Sequence, residues 1–342
     1  MSTETPLVSV VLPVYNCEDY ICESVKSILC QTFVDFELLI IDDGSIDSTY
    51  KKISQFKDPR VILIKQKNKG LPITLNQSFQ IARGKYIARQ DADDFSYPDR
   101  LEKQVKFLES NLDVGIVGTW AEIMVGRTKS ERSLRHNPEK NKIRFDVLFD
   151  SPFVHSSIML RKKVFDDIGG YKPAFMPVED YEYWTRVLEK YNGANIPEIL
   201  QLYRELPNSM IRTDPEKNLI RLIEISSQAI LKLLGNRYSQ LDIYNLSCLS
   251  HRAYKLLKGR PNLLRMRNIM LNISKTIDLP AQTFPRDLDQ YANRKFRTII
   301  TSYYRYKISY QYKPIIKTIG LLEFLLRRIS LIWKRIDIEK KE

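Results

Sequence analysis

Apolar and polar residues alternate along the first two-thirds of the chain in blocks that predict strand, helix, strand, helix. Residues 8–15, VSVVLPVY, are a β-branched apolar run ending at a turn, and 36–45, FELLIIDDGS, are a second. Between them, EDYICESVKSILCQT carries Ile21, Val25, Ile28 and Leu29 at helical spacing. A third apolar run, RVILIKQ, starts at Arg60; a helix is expected near 73–83, and a fourth strand, KYIARQDA, starts at Lys85. Strands apolar on both faces and alternating with helices predict a parallel sheet covered on both sides. Further on, HSSIMLRKKVFDDIGGY (155–171) reads as a strand containing His155, a short helix and a glycine stop. VEDYEYWTRVLEKY (178–191) reads as a helix with Glu179 and Asp180 in its first turn, where the helix dipole favours acids. Beyond Leu206 the strand signals vanish, and EKNLIRLIEISSQAILKLLGN (216–236) predicts an amphipathic helix stopped at Gly235-Asn236, with more helices after it. The expected fold class is α/β: an open, mostly parallel sheet with helices on both faces over 1–205, then a mainly helical region over 206–342.

Length and charge support that division. A chain of 342 residues exceeds one typical core. Hydrophobic content of 43% and charged content of 28% are those of a globular protein, which excludes a disordered or fibrous one. Residues 1–205 hold 28 Lys+Arg against 30 Asp+Glu, a net of −2, whereas 206–342 hold 26 against 11, a net of +15. The two regions therefore face different partners. The start, MSTETPLVSVVLPVYN, lacks a basic stretch and reaches Pro13 quickly, so no signal peptide is expected. No run of 18 uncharged apolar residues predicts a spanning helix. Cys17, Cys22, Cys30 and Cys248 fit no zinc spacing and are expected to be reduced, buried thiols of a cytoplasmic protein.

Chemistry enters through the polar clusters. YNCED, DDGS and DADD each follow an apolar strand, and in a parallel sheet ligands bind beyond the carboxyl ends of the strands. Asp91 and Asp93 alternate on an extended segment and so point to the same side. They suit one divalent cation, or one cation and a ribose, since Mg²⁺ or Mn²⁺ is held by one or two carboxylates plus substrate phosphates. The competing reading is an acidic loop capping a helix near 97–108. Asp42 and Asp43 read either as a turn or as carboxylates that recognise a base or ribose. Tyr15 could stack on a base, and NKGLPITLNQSF (68–79) places a glycine loop before a helix whose free N–H groups could face phosphate. Asp180 is a candidate general base, against the alternative of an acidic helix start. Asp99 and Arg100 read as a structural ion pair.

In order, SVVLPVYN, DDGSIDST, NKGL, ARGKYIARQDADD, PDRLEKQ, HSSIMLRKKV and VEDYEYW resemble bacterial glycosyltransferase family 2, with its Rossmann-like GT-A fold, over about residues 6–205. Within the family the chain looks most like enzymes of lipopolysaccharide, capsule or related surface glycans. The resemblance implies that Tyr15 stacks on the base of a nucleotide-sugar donor, that Asp43 hydrogen-bonds it, and that Pro13 and Glu18 flank the donor pocket. It implies that Asp91 contacts ribose or donor sugar, that Asp93, with Asp94 as alternative or partner, holds Mn²⁺ or Mg²⁺ on the diphosphate, and that Asp180 is the base. His155 matches a recurrent polar residue on the acceptor side. The implied reaction is a single displacement with inversion, from a UDP-sugar to a hydroxyl of a glycan or lipid-linked acceptor. A nucleotidyltransferase acting on a sugar phosphate, or a non-catalytic glycan- or partner-binding protein of the same fold, are the alternatives.

The second region adds a partner. Residues 291–313 hold six Lys/Arg, seven aromatics and no acid. Ile315, Ile319, Leu322, Leu326, Ile329, Trp333 and Ile336 then follow at spacings of four and three, with the basic residues mostly off that stripe. Such a segment, 291–336, is expected to lie on an anionic membrane at the inner face of the cytoplasmic membrane. Packing on the catalytic domain, or a homodimeric coiled-coil seam, is the alternative. Nucleic acid is the third candidate, for which the first region has no use.

Overall fold

The computed structural model describes residues 5–206, 213–277 and 285–311. The expected alternation is present at the start: β1 (Val8–Val14), α1 (Ile21–Leu29), β2 (Phe36–Asp42), α2 (Thr49–Ile53), β3 (Val61–Lys65), α3 (Leu71–Ile81) and β4 (Tyr86–Arg89). Every residue of β1 and β2 is buried, because both faces of the sheet are covered. β5 (Phe95–Ser96), α4 (Arg100–Ser110), β6 (Val114–Val125), β7 (Thr128–Leu134) and α5 (Lys140–Asp146) follow, then β8 (Met159–Arg161), α6 (Lys162–Ile168), α7 (Glu179–Lys190) and β9 (Asn192–Glu205). Among the described residues these strands make one nine-stranded sheet, ordered β3-β2-β1-β4-β8-β6-β9-β5, with β7 on β6. β3, β2, β1 and β4 are mutually parallel; β8 runs antiparallel to β4 and β6, and β6 and β9 pair in parallel. The fold is thus the expected α/β class, with a mixed second half.

β6 and β9 are not evident in the sequence pattern. Gly115 and Gly118 interrupt β6, Pro197 interrupts β9, and the register shifts around Val114–Ile116 and Thr119–Ala121. Gly118 is required by close approach: a Cβ there would sit 2.3 Å from Asn195 Oδ1 and 2.9 Å from a Phe153 ring carbon. His155, expected in a strand, lies in a 3₁₀ turn over His155–Ser157 that precedes β8.

The chain divides into two compact units, Met1–Ile225 and Ser226–Glu342, and the division falls inside helix α8 (Pro215–Leu234). In the second unit, α9 (Gln240–Ser250), α10 (Leu263–Ile277) and α11 (Pro285–Gln311) pack through stripes such as Met266, Ile269, Met270, Ile273 and Ile277. On α11, Ala292, Phe296, Ile299, Ile300 and Ile308 are buried, while Tyr310 is 72% exposed. The predicted stripe from Ile315 to Ile336 lies outside the described residues. Among the described residues no helix is long and apolar enough to cross a membrane. All four cysteines are free thiols, but the expectation that all are buried fails: Cys248 is buried, Cys17 and Cys22 are half-buried, and Cys30 is exposed.

Candidate active site

From β1 the chain steps outward through β2 to β3, and α3 then returns it to the other side of β1, where β4 pairs. Connections leave β1 and β4 in opposite directions, which opens a crevice beyond their carboxyl ends. The register sets Arg89, the last residue of β4, opposite Val11, and Gln90 N still donates to Val11 O at 3.0 Å, so residues 90–94 run alongside the carboxyl end of β1 and out past it. Tyr15 follows β1 and is half exposed, and Pro13 is buried within the strand opposite Ile41.

The crevice wall is stitched by side chains at the ends of β1 and β2. Asn16 adopts a left-handed φ of 47°. Its N–H donates to Ser45 Oγ at 3.0 Å, and its Oδ1 accepts from Ile46 N at 2.9 Å. Glu18 N donates to Asp47 Oδ2 at 3.2 Å, and Glu18 Oε2 accepts from Ser48 N at 3.1 Å. Glu18 therefore ties the turn after β1 to the 47–48 segment after β2. Asp43 accepts from Gln66 Nε2 at 2.7 Å and from the backbone N–H groups of Lys69 at 3.0 Å and Gly70 at 2.9 Å. The loop amides just before α3 are thus turned toward Asp43. Gly70, at φ 86°, supplies the left-handed turn this needs before α3.

The DADD segment separates its acids by environment. Asp94 is 2% exposed. Its Oδ1 accepts from Arg204 N at 2.8 Å and its Oδ2 from the Ser156 hydroxyl. Burial, then Asp93 and Asp91, push its carboxyl well above the usual range. Asp91 is half-buried and paired through both oxygens with Arg89, at 2.8 and 2.7 Å. No side chain among the described residues hydrogen-bonds the Asp93 carboxylate, whose pKa is raised to about 6 by burial and then by Asp91. Among the described residues no three His, Cys, Asp or Glu side chains converge as a metal cage. The donor set fits a cation held by one carboxylate with the remaining positions left to a diphosphate and water, as Mg²⁺ and Mn²⁺ accept. The Asp93 carboxylate, to which no side chain among the described residues donates a hydrogen bond, is the observation that supports this fit.

Asp180 opens α7, and its Oδ1 accepts from Tyr181 N at 2.7 Å. Burial lifts its pKa to about 6, against the pull of the Tyr181 N–H and Arg89. Beside it, Glu179 is 3% exposed, its Oε2 has no partner, and burial followed by Asp180 pushes it to about 7. His155 Nε2 lies 3.0 Å from Tyr171 Oη; burial, and then Arg89, hold its pKa well below the ordinary value, which leaves a neutral ring.

Two arginines organise this site, Arg204, which the sequence did not single out, and Arg100, which it read as the partner of Asp99. Arg204 on β9, 3% exposed, donates from Nε to the Asp93 carbonyl at 2.7 Å and from Nη2 to Glu23 at 3.0 Å. Its guanidinium also lies 4.5 Å from the centre of the Tyr20 ring. Arg100 does not pair with Asp99, which instead bonds Lys103 at 2.6 Å. It is fully buried and donates to Gln90, Ser96, Gln201 and Gln104 and to the carbonyls of Arg89 and Ile158. With no carboxylate bonded to it, burial draws its pKa down to about 9. Arg204 was hidden because its strand was hidden; Arg100 because a DR dipeptide carries no sign of which element will cover it.

An open α/β sheet with polar side chains gathered at the carboxyl ends of its strands is the arrangement in which enzymes of this class bind their ligands. The glycosyl transferase family 2 profile matches residues 9–169. The O-antigen biosynthesis glycosyltransferase WbnJ of Escherichia coli is 31% identical over 261 residues, covering 74% of this chain and 97% of that one. A second Escherichia coli protein, the UDP-Glc:alpha-D-GlcNAc-diphosphoundecaprenol beta-1,3-glucosyltransferase WfaP, is 29% identical over 239 residues, covering 67% and 87%. The crystal structure of S. aureus TarS residues 1–349 in complex with UDP-GlcNAc superposes with a TM-score of 0.59 at 17% identity, covering 90% of this chain and 92% of that one. The chain belongs to glycosyl transferase family 2 and is a glycosyltransferase of the GT-A fold.

Proposed function

We propose that the protein transfers a sugar from a UDP-sugar to a hydroxyl of a lipid-linked or glycan acceptor in cell-surface polysaccharide synthesis, with inversion at the anomeric carbon. The observation that supports this reading is the electrostatic interaction of Asp180, at the start of α7, with Asp91 and Arg89 at the end of β4. The names of WfaP, which specifies a UDP-linked donor and a diphospholipid acceptor, and of the TarS complex with UDP-GlcNAc support the choice of donor and acceptor class. Tyr15 offers a half-exposed ring at the end of β1 for the base, with Pro13 and Glu18 shaping the pocket and Asp43 holding the 66–70 loop against it. Asp91, locked by Arg89, faces the ribose or donor sugar. Asp93 holds Mn²⁺ or Mg²⁺; Asp94, with both oxygens engaged inside the protein, fixes the segment from which Asp93 projects. When bound, the cation supplies Lewis-acid stabilisation of the charge that builds on the departing diphosphate. Asp180 takes the proton of the attacking hydroxyl: a carboxyl near 6 is mostly ionised at neutral pH yet more basic than a free aspartate. Thermal stabilisation by UDP with Mn²⁺, followed by a panel of nucleotide sugars read by release of free nucleotide, tests this reading. Absence of any nucleotide-dependent shift would refute it.

We infer also that the basic second region lies at an anionic membrane surface on the cytoplasmic side, where a lipid-linked acceptor would be met. The net charge of +15 over 206–342 and the exposed Tyr310 favour this. Deleting 290–342 should move the protein to the soluble fraction of lysed cells; unchanged sedimentation with membranes would count against it.

A further inference from the structure

Arg89 is 1% exposed, and a guanidinium so placed must have its charge and its five N–H donors met. Nη1 donates to Asp91 Oδ2 at 2.8 Å and Nη2 to Asp91 Oδ1 at 2.7 Å, a planar two-point pair. The backbone is pinned on both sides: Arg89 N donates to Ile158 O at 2.9 Å, and Arg89 O accepts from Arg100 Nη2 at 2.7 Å. Nε is buried without any partner. An orphaned buried donor costs about 1–3 kcal/mol, so packing alone does not account for an arginine here. Three further carboxylates lie within the reach of its field. Burial raises the pKa of Asp93, Glu179 and Asp180, and Arg89 opposes that rise in each, although it is hydrogen-bonded to none of them. One buried cation thus faces acids from two separate segments, 91–93 after β4 and 179–180 at the start of α7.

We propose that Arg89 is a positioning residue of the transfer reaction: its backbone is pinned on both sides, and its two-point pair fixes the orientation of the Asp91 carboxylate toward the donor. This rests on the role given above to Asp91. Lysine keeps the charge but offers one compact ammonium in place of a planar fork, so it cannot orient a carboxylate in the same way.

The test compares Arg89→Lys, Asp91→Asn and the double variant of the full chain, using UDP with Mn²⁺ for binding and nucleotide release from the accepted nucleotide sugar for turnover. Arg89→Lys is expected to melt within a few degrees of the parent and to lose about 10²-fold in kcat, with donor KM moving less than about tenfold. On the Asp91→Asn background the same change should cost less than about threefold, since the group it orients is already altered. Parent-like kcat in Arg89→Lys, or losses that multiply in the double variant, would overturn the proposal. Should Arg89→Lys not fold, Asp91→Glu is read instead: it keeps a carboxylate on Arg89 but displaces it by a methylene, and parent-like kcat there overturns the proposal equally. Parent-like activity in Asp91→Asn would sink the assignment of Asp91 itself, and with it the proposal; a damaged Asp91→Asn beside a healthy Arg89→Lys would sink the proposal alone.

Discussion

Replacing Asp180 by Asn should abolish transfer and at the same time stabilise the fold. Asp180 has an ordinary pKa of 3.8 and a folded value of about 6, raised chiefly by burial. A carboxyl whose folded pKa lies above its unfolded one binds protons more tightly in the native state. Its ionisation therefore opposes folding at pH above the folded value, and the penalty vanishes below the unfolded value. The shift of about two units corresponds to about 3 kcal/mol at pH 7.5. Between the two pKa values the penalty is partial, about 1.6 kcal/mol at pH 5. Asn keeps the acceptor that meets Tyr181 N but carries no charge to desolvate. At about 2–4 °C per kcal/mol for a unit of this size, the melting temperature should rise by up to about 6–12 °C at pH 7.5 and by about half as much at pH 5. Differential scanning at both pH values, UDP titration with Mn²⁺ and nucleotide release from the donor sugar complete the assay, with nucleotide binding expected to persist. Retained transfer would remove Asp180 as the base. A lower melting temperature, or a gain that grows as pH falls, would refute the electrostatic argument.

Other consequences are independent of that one. Asp93→Asn should abolish the Mn²⁺-dependent part of the UDP thermal shift without lowering the melting temperature of the free protein. Asp94→Ala should instead cost about 1–3 kcal/mol in urea unfolding, because Ser156 and the Arg204 N–H lose their acceptors. Arg204→Met should cost about 2–4 kcal/mol, since the Asp93 and Gly126 carbonyls are left without their donor, and it should weaken cation-dependent nucleotide binding. Gly84→Ala should lower the urea midpoint by the equivalent of about 1–3 kcal/mol, as a Cβ there would lie 2.5 Å from Ser9 N and 2.8 Å from the Val8 carbonyl carbon, backbone atoms that cannot step aside.

The first half of the sheet was legible because two-faced burial writes itself as unbroken apolar runs, as in VSVVLPV and FELLIID. The second half was not. β6 and β9 carry glycines and a proline at bulges where neighbours approach closely, and that need erases the strand signal. The charged residues followed the same rule. Asp91 and Asp93 could be placed after a strand from chain order, but the extended run expected to carry both is a turn, in which Asp94 N donates to Asp91 O at 3.2 Å, and Asp94, the residue after Asp93, is drawn inward by Ser156 and by β9, a partner 110 residues away. The turn in NKGL was legible from its glycine, but not that Asp43, just after β2, would take up the amides of Lys69 and Gly70.

The sequence by itself determined the parallel sheet, the edge at which polar groups gather, and the acids and aromatic available there, since these depend on periodicity and on order along the chain. Its charge split also set apart a nearly neutral first region from a strongly basic second one. Only the tertiary structure decided which acid is free and which is spent. Among the described residues no side chain hydrogen-bonds the Asp93 carboxylate, Asp94 is consumed by the interior, and Arg89 is locked onto Asp91. Desolvation and hydrogen bonding depend on what packs around a group, and the groups around these carboxylates come from the 3₁₀ turn before β8, from β9 and from α7, distant in sequence and adjacent only once the sheet has formed.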